Sequence, residues 1–248
     1  MKIYSLTDTG AVRRNNQDSF AHGTISESLS WAVVCDGMGG ANGGDYASRT
    51  AVGVLSNVIT RGLSDTQNEL NIPGLLTSAI AAANISVYEA SKMEPQLAGM
   101  GTTVVAAVAK DNEITIAHAG DSRAYIIDSN SIRQITTDHS LVQEMVDSGE
   151  ITEDEARVHP RKNIITRALG VTDEVEIDFN TCVLEDNSTI LICSDGLTNF
   201  VEDARIKEII ESMREDEVPK ALIDEANGNG GGDNITAVIM CRRSGKEG

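Results

Sequence analysis

The chain has 248 residues, of which 40% are hydrophobic and only 3% aromatic, so it can form one large domain or two small ones with an aliphatic core. Its 38 acidic and 20 basic side chains give a net charge of −18, which argues against nucleic acid or an anionic membrane surface as the partner. The same balance suits a protein that concentrates divalent cations.

The first half of the chain is predicted to start with three strands, at 1–8, 17–24 and 30–36, separated by turn residues. Apolar residues then recur at helical spacing over 45–60, and Pro73 opens a second helix that extends to about residue 92. These elements predict a mixed chain in which strands precede a pair of amphipathic helices.

The middle of the chain is rich in short β segments. Residues 102–109, 113–119, 122–128 and 131–135 alternate with turn-like breaks and are predicted to form an antiparallel meander. A short helix over 141–148 ends at Gly149, and the polar stretch 151–163 is predicted to be a surface loop.

The last part of the chain returns to alternating strands and helices. Strands are predicted at 175–183, 188–193 and 235–242, helices at 203–214 and 218–227, and a glycine-rich loop at 228–232. Because no linker or repeat divides the chain, we expect one domain over 1–242 and a polar tail over 243–248. Two sheets packed face to face with helices outside would use every element.

The cysteines and the apolar segments indicate where the protein resides. Cys35, Cys182, Cys193 and Cys241 lie in or beside apolar runs and form no CxxC pair, which favours small buried residues in a reducing compartment over a zinc site. No apolar run approaches the ~20 residues that span a bilayer, and the start of the chain lacks the pattern of a signal peptide. We therefore expect a soluble, cytoplasmic protein without a membrane partner.

Aspartates at strand ends are the most informative local pattern. Asp36-Gly37 directly follows one apolar run, and Asp195-Gly196 follows another. Either pair alone is also typical of an ordinary turn, but the repetition favours a shared site. The glycines after Asp36 would let backbone groups approach an ion closely.

Three further aspartates extend this pattern. Asp233 precedes the last strand, Asp18 lies on an early strand, and Asp121 lies between two strands, where a hairpin turn is an equally good interpretation. Carboxylates gathered at one sheet edge repel one another, and a hard cation between them removes that repulsion. The absence of a Cys/His cluster in the sequence favours Mg²⁺ or Mn²⁺ over zinc.

A pair of such ions would make phosphate-ester hydrolysis the expected chemistry. Water held between two cations loses a proton near neutral pH and becomes a nucleophile. Arg13, five residues before Asp18, can bind two phosphate oxygens through its guanidinium, although a surface arginine paired with a neighbouring acid is the plainer interpretation.

The ordered set of segments resembles the metal-dependent protein serine/threonine phosphatases of type 2C, in their short bacterial form. The matching segments span most of the chain and are 13–18, 34–40, 101–103, 119–123, 138–141, 159–170, 194–196 and 232–236. The resemblance implies an α+β fold, a four-layer αββα sandwich with two central antiparallel sheets and the metals at one edge.

The resemblance also assigns roles to individual residues. It implies that Asp36 bridges two metal ions, that the Gly37 carbonyl binds one of them, and that Asp195 and Asp233 complete the other shell. Asp18 would act close to the metals. Asp121, together with Asp195, would form a weaker third site, and Arg13 would hold the substrate phosphate.

One position departs from the animal enzymes, which carry histidine where this chain has Met38. The acid that protonates the leaving oxygen therefore stays open between metal-bound water and His159, which is more often simply an exposed residue. His139 is expected to have a capping or structural role, and no role is assigned to His118.

The segment from about 149 to 167 resembles the flap that borders the active site in this family. It carries basic residues such as Arg161, and it is predicted to be a mobile surface loop that steers phosphopeptides, with His159 and Arg161 as substrate contacts; a solvated loop without a substrate role is the alternative.

The expected function is hydrolysis of phosphoserine and phosphothreonine by a two-metal-activated hydroxide, without a phosphoenzyme. The partners would be phosphorylated proteins, including a Ser/Thr kinase and its substrates, and the enzyme would act as a monomer. Two alternatives are a pseudophosphatase used as a binding module, which should lack metal-ligand residues, and a regulatory phosphatase dedicated to one partner, which would usually carry a sensory domain.

Overall fold

The computed structural model describes residues 1–65 and 70–243. The strands are β1 (Lys2–Asp8), β2 (Asp18–Ser26), β3 (Leu29–Met38), β4 (Gly101–Thr102), β5 (Val104–Lys110), β6 (Glu113–Ala119), β7 (Arg123–Ile127), β8 (Ile132–Gln134), β9 (Asp178–Val183), β10 (Thr189–Cys193) and β11 (Ile235–Cys241). The helices are α1 (Gly40–Ser64), α2 (Ile72–Met93), α3 (Leu141–Asp147), α4 (Glu153–Arg157), α5 (Asp195–Thr198), α6 (Asp203–Ser212) and α7 (Val218–Gly228), with a 3₁₀ turn at Pro95–Leu97.

Two antiparallel sheets form the centre of the fold. The first has the order β1-β11-β10-β7-β8, and the second has the order β2-β3-β5-β6-β9 with β4 paired to β3. In the first sheet the N-terminal strand pairs with the C-terminal strand, with Lys2 opposite Cys241. The two ends of the chain therefore meet in one sheet.

Three apolar cores lie between four layers. Helices α1 and α2 pack on the second sheet through residues such as Leu55 and Ile80, and helices α6 and α7 pack on the first through residues such as Leu222. Between the sheets lies a third core that includes Val105 and Ile190. The predicted αββα sandwich is confirmed. Each fully buried Leu or Ile contributes about 1.5–3 kcal/mol to the stability of this arrangement.

The layering explains why the central strands are continuously apolar. All residues of β10 and β11 are buried, because one face of their sheet contacts helices and the other contacts the second sheet. Edge strand β9 alternates between half-buried and exposed residues instead. The apolar runs in the sequence therefore mark the middle of each sheet.

The predicted meander is wrong. Strands β5 and β6 form a hairpin in the second sheet, whereas β7 and β8 form a hairpin in the first. Between β6 and β7 the chain crosses from one sheet to the other at residues 120–122. Asp121 therefore lies on a crossover between the sheets and not in a hairpin turn.

Several other boundaries differ from the predictions. Helix α1 begins at Gly40, inside the glycine run, because Gly39 at φ 113° provides its N-cap. The predicted loop 151–163 contains α4, whose start is a capping box between Thr152 and Glu155. The single turn α5 was not predicted, and residues 244–248 of the predicted tail lie outside the described residues.

Candidate metal centre

Two of the predicted aspartates face each other across neighbouring strands. The β2–β3 register places Asp18 opposite Asp36 near the ends of both strands. The Asp36 backbone is held by Thr103, whose Oγ1 accepts the Asp36 N–H at 2.9 Å and whose N–H donates to the Asp36 carbonyl at 2.8 Å. These two hydrogen bonds hold the Asp36 backbone in place at the edge of the sheet.

In the other sheet, Asp195 and Asp233 lie next to the ends of two adjacent strands. Asp195 starts α5 just after β10, and Asp233 precedes β11, which pairs with β10. A Cβ on Gly196 would lie 1.9 Å from the Asn234 carbonyl oxygen, so the close approach of the two segments requires glycine there. The predicted Asp-Gly pattern after β10 has this steric cause.

Asn234 connects the loop between β1 and β2, which carries Arg13, to this edge of the sheets. Its Oδ1 accepts the Gln17 N–H at 2.8 Å, and its Nδ2 donates to the carbonyls of Thr9 and Asn15 at 2.8 and 3.0 Å. Arg13 Nη2 donates to Asp233 Oδ2 at 2.7 Å. The segment around Arg13 is therefore fixed beside the carboxylates.

Gly37 lies where three segments converge. Its N–H donates to the Gln17 carbonyl at 3.1 Å, and a Cβ on it would lie 2.0 Å from the Gly44 carbonyl oxygen. Met38 pairs with Gly101 of β4, so β3 continues two residues past Asp36. Only glycine fits between the start of α1 and the Gln17 loop.

Asp18 is buried beneath the other carboxylates. Ser194 Oγ and Thr236 Oγ1 donate to its Oδ2 at 2.7 and 2.6 Å, while its Oδ1 is buried without a hydrogen-bond partner. Burial raises the pKa of Asp18 to about 7, against the effect of these two hydrogen bonds and with a contribution from the charges of Asp195 and Asp233.

Burial and charge repulsion also act on the neighbouring carboxyls. Burial, followed by repulsion from nearby aspartates, raises the pKa of Asp36, Asp121 and Asp195 above the ordinary value. Asp36 and Asp195 are close enough to share a hydrogen bond. Buried carboxyls that repel one another, one with an orphaned oxygen, form a donor set that fits hard divalent cations.

A cleft of about 550 Å³ opens above this cluster. Its lining brings together the predicted site residues Arg13, Asp36, Gly37, Asp121, Asp195 and Asp233, with Asp18 below them. A second cleft of about 480 Å³ adjoins the first and shares Asp121, Asn163 and Asp195 with it. Among the described residues that line the first cleft there is no cysteine or histidine.

The two predicted flap contacts are not in either cleft. His159 accepts the Arg161 N–H through Nδ1 at 3.2 Å, and Arg161 Nη2 lies 4.0 Å from Met145 Sδ. Asn163 and Ile165 are the flap residues that border the first cleft instead. The binding roles of His159 and Arg161 stay predictions.

Sequence reasoning assigned no role to several residues that hold the carboxylates. Besides Ser194 and Thr236, Asn199 donates through Nδ2 to Asp195 Oδ2 at 2.8 Å. Ser194 adjoins Asp195, and Asn199 follows Asp195 by one helical turn, so spacing from a known aspartate could have found both. The contact between Thr236 and Asp18 depends on the packing of the two sheets, which leaves no local pattern.

None of the helices in the described part of the chain is long and apolar enough to cross a bilayer.

The chain is similar to a known family of proteins. The Protein phosphatase 2C family model matches residues 11–224. The serine/threonine phosphatase stp of Listeria welshimeri is 40% identical over 237 residues, which cover 95% of this chain and 94% of the relative.

Two solved structures have the same fold. The Mycobacterium tuberculosis serine/threonine phosphatase PstP/Ppp aligns with a TM-score of 0.88 and 34% identity, covering 98% of this chain and 99% of that chain. A PstP catalytic domain solved in complex with two manganese ions aligns with a TM-score of 0.84 and 34% identity, covering 96% of each chain. The chain belongs to the protein phosphatase 2C family.

Proposed function

We propose that this protein hydrolyses phosphoserine and phosphothreonine in other proteins at the cleft between its two sheets. The observation that carries the proposal is the convergence of Asp18, Asp36, Asp195 and Asp233, from four separate segments, beside Arg13. The similar proteins reported above are named serine/threonine phosphatases, and these names support the same substrate class.

The metal ligands would be oxygens of residues that already line or underlie the cleft. Asp36 and the Gly37 carbonyl would hold one ion, and Asp36, Asp195 and Asp233 would hold a second; Asp121 with Asp195 would form a third, weaker site. We propose Mn²⁺ or Mg²⁺ for these positions, because the donors are carboxylate and carbonyl oxygens. When bound, such ions neutralise phosphate charge and lower the pKa of water, so that water can act as the nucleophile.

Arg13 would bind the phosphate that enters the cleft. Its guanidinium is half-exposed and lies at the cleft wall, where it pairs with the Asp233 carboxylate. A cation shared with Asp233 would compete for that carboxylate and leave the guanidinium fork available to two phosphate oxygens. Arg13 would thereby orient the phosphorus toward the carboxylates of Asp36, Asp195 and Asp233.

The reaction needs no covalent enzyme intermediate. Water gives up one proton to solvent as its oxygen bonds to phosphorus, the bond between phosphorus and the serine or threonine oxygen breaks, and that leaving oxygen takes up a proton. Met38, which adjoins Gly37, has no proton to give, and His159 does not line the cleft. We therefore propose that the proton comes from solvent in the cleft.

The wider role follows from the same assignment. We propose that residues 1–242 act as one phosphatase domain, with 149–167 as a flap beside the cleft, and that the protein is a monomer that opposes a Ser/Thr kinase in the cytoplasm. Pairing of β1 with β11 supports a single unit.

A direct assay tests the proposal. The purified protein should release inorganic phosphate from a phosphothreonine peptide in the presence of Mn²⁺ and should stop when EDTA is added. A pseudophosphatase would bind the same peptide without releasing phosphate, and that result would contradict the proposal.

A further inference from the structure

Asp121 reaches the cleft from the crossover between the two sheets, and this crossover has two supports. On one side, Ser122 Oγ lies 2.8 Å from Thr103 Oγ1, and Thr103 also binds the Asp36 backbone. A Cβ on Gly120 would lie 2.6 Å from Thr103 Cγ2, so the chain passes close to Thr103 with Gly120 at φ +115°. The other side of the crossover contacts His139.

His139 binds Gly120 through both its backbone and its side chain. The His139 N–H donates to the Gly120 carbonyl at 2.9 Å, and the Gly120 N–H donates to His139 Nδ1 at 3.1 Å. His139 is only 7% exposed, so these bonds are shielded from water. The residue before Asp121 is thus held by two hydrogen bonds to one partner.

This contact determines which ring nitrogen carries the proton. Because Gly120 N–H is a donor, Nδ1 of His139 is the bare acceptor, and Nε2–H donates to Asp178 Oδ2 at 3.2 Å. Arg167 donates to Asp178 Oδ1 at 2.9 Å. Although burial opposes it, the hydrogen bonds from His139 and Arg167 lower the pKa of Asp178, so this carboxylate stays charged and holds the ring.

The His139 backbone also connects this support to the flap. Thr166, at the end of the flap, donates its N–H to the His139 carbonyl at 2.8 Å. Of the capping or structural role predicted for His139, the structure excludes capping, because Ser140 is the N-cap of α3 and accepts the Gln143 N–H. The His139 side chain is therefore available for Gly120.

A metal ion at this place is a weaker interpretation. His118, His139 and Asp178 offer ligand atoms within 4.8 Å of one another, and Nδ1 of buried His118 has no hydrogen-bond partner. However, Arg167 Nη1 lies 3.1 Å from His139 Nε2 and 2.9 Å from Asp178 Oδ1, so a guanidinium already occupies the cation position. The stacked His118 ring, with centroids 4.6 Å apart, supports the His139 ring from one face.

We propose that His139 is a positioning residue for Asp121, which it presents to the cleft by accepting the Gly120 N–H through Nδ1. The inference deepens the proposed function and rests on it, because Asp121 matters only if the cleft holds cations. It predicts that the acceptor at Nδ1, rather than the bulk of the ring, sets the affinity of the Asp121 site.

Two substitutions separate the acceptor from the rest of the ring. The amide oxygen of His139→Asn takes the place of Nδ1, whereas the amide of His139→Gln reaches toward Asp178 and leaves the Gly120 N–H unpaired. Mn²⁺ binding is measured on the free protein by the EPR signal of unbound Mn²⁺, with Asp121→Asn as the reference for loss of the weak site.

His139→Gln should weaken the Asp121-dependent binding step by about 10-fold or more, and His139→Asn should retain most of it. A purely structural role would lower the melting temperature of both variants without separating their Mn²⁺ curves, and that result would overturn the inference. So would an Asp121→Asn curve identical to that of the unmodified protein.

Asp178→Ala provides a second route if His139→Gln does not fold, since the Asp178 side chain is 46% exposed. It should weaken the same step by a smaller factor, and an unchanged curve would count against the proposal. Phosphopeptide hydrolysis by the unmodified protein distinguishes failure of the proposed function from failure of the positioning role of His139. Absence of that activity removes the proposed function, whereas activity with indistinguishable His139 variants removes only the positioning role.

Discussion

The carboxylate floor and the flap are built differently. The floor, which comprises Asp18, Asp36, Asp195 and Asp233, starts from strand ends in two sheets and is held by hydrogen bonds to residues distant in sequence. The proposed flap, residues 149–167, combines local contacts such as the capping box of α4 with longer ones: the Thr166 N–H donates to the His139 carbonyl, and Lys162 donates to Asn199, which itself binds Asp195. We therefore propose that the floor fixes the position of the reacting groups and that the flap takes part in substrate choice.

The largest expected effect is on the floor itself. Asp36→Asn should lower Mn²⁺-dependent turnover by about a thousandfold or more, because several kcal/mol of charge stabilisation would be lost with the carboxylate that we propose bridges the two ions. The measurement is kcat on a phosphothreonine peptide at saturating Mn²⁺. Since Asp36 carries a raised pKa from burial and repulsion, the metal-free variant should melt no lower than the unmodified protein. Retained turnover would remove Asp36 from the centre.

The next effect concerns the pH dependence of stability without metal. The pKa of Asp18 is about 7 in the folded protein and near 3.8 when unfolded, so the folded state holds more protons between these values. The stabilising contribution is complete below the unfolded pKa and is lost as pH rises through the folded pKa. In EDTA, unfolding free energy should fall by on the order of a few kcal/mol over this window.

Chemical denaturation between pH 4 and pH 8 measures this effect, with Asp18→Asn as the control that removes the titrating group. The difference between the two proteins should shrink when Mn²⁺ is added, because a cation offsets the repulsion. If the unfolding free energy depended on pH in the same way in both proteins, the raised pKa of Asp18 would be contradicted.

A smaller effect is expected at the cleft wall. Arg13→Ala should raise KM for phosphopeptides by about 10- to 150-fold, equivalent to ~1.5–3 kcal/mol for a lost charge-assisted bond. Arg13→Lys keeps the positive charge but lacks the two-pronged guanidinium, so its KM should lie between that of the unmodified protein and that of Arg13→Ala. An unchanged KM would place phosphate binding elsewhere.

The smallest effect is expected at the flap. Lys162 Nζ donates to Asn199 Oδ1 at 3.2 Å in an exposed contact, so Lys162→Met should raise KM for a phosphopeptide by only about two- to fivefold. Turnover of p-nitrophenyl phosphate, which is too small to reach the flap, should not change. Lys110→Met removes the same charge at the far end of β5 and should have no effect on either substrate. If both variants changed KM by the same factor, Lys162 would act only through its contribution to the overall charge of the protein.

The contrast between floor and flap also explains what the sequence could predict. Asp36-Gly37 and Asp195-Gly196 were found because apolar strands end at them and glycine is required by close backbone approach at both. The partners of Asp18 depend on how two sheets pack, and the crossover at Asp121 depends on which sheet each hairpin joins; neither leaves a pattern in adjacent residues. The polar composition of 151–163 favours a loop, whereas Thr152 and Glu155 form the capping box that starts α4, so their spacing is the local signal that identifies this helix.

The central claim is that aspartates distant in the chain converge to hold divalent cations. Anomalous diffraction from crystals grown with Mn²⁺ tests it most directly. We expect two strong peaks in the first cleft, with oxygens of Asp36, Gly37, Asp195 and Asp233 as ligands. Peaks absent from these residues, or a single peak between His118 and His139 instead, would contradict it.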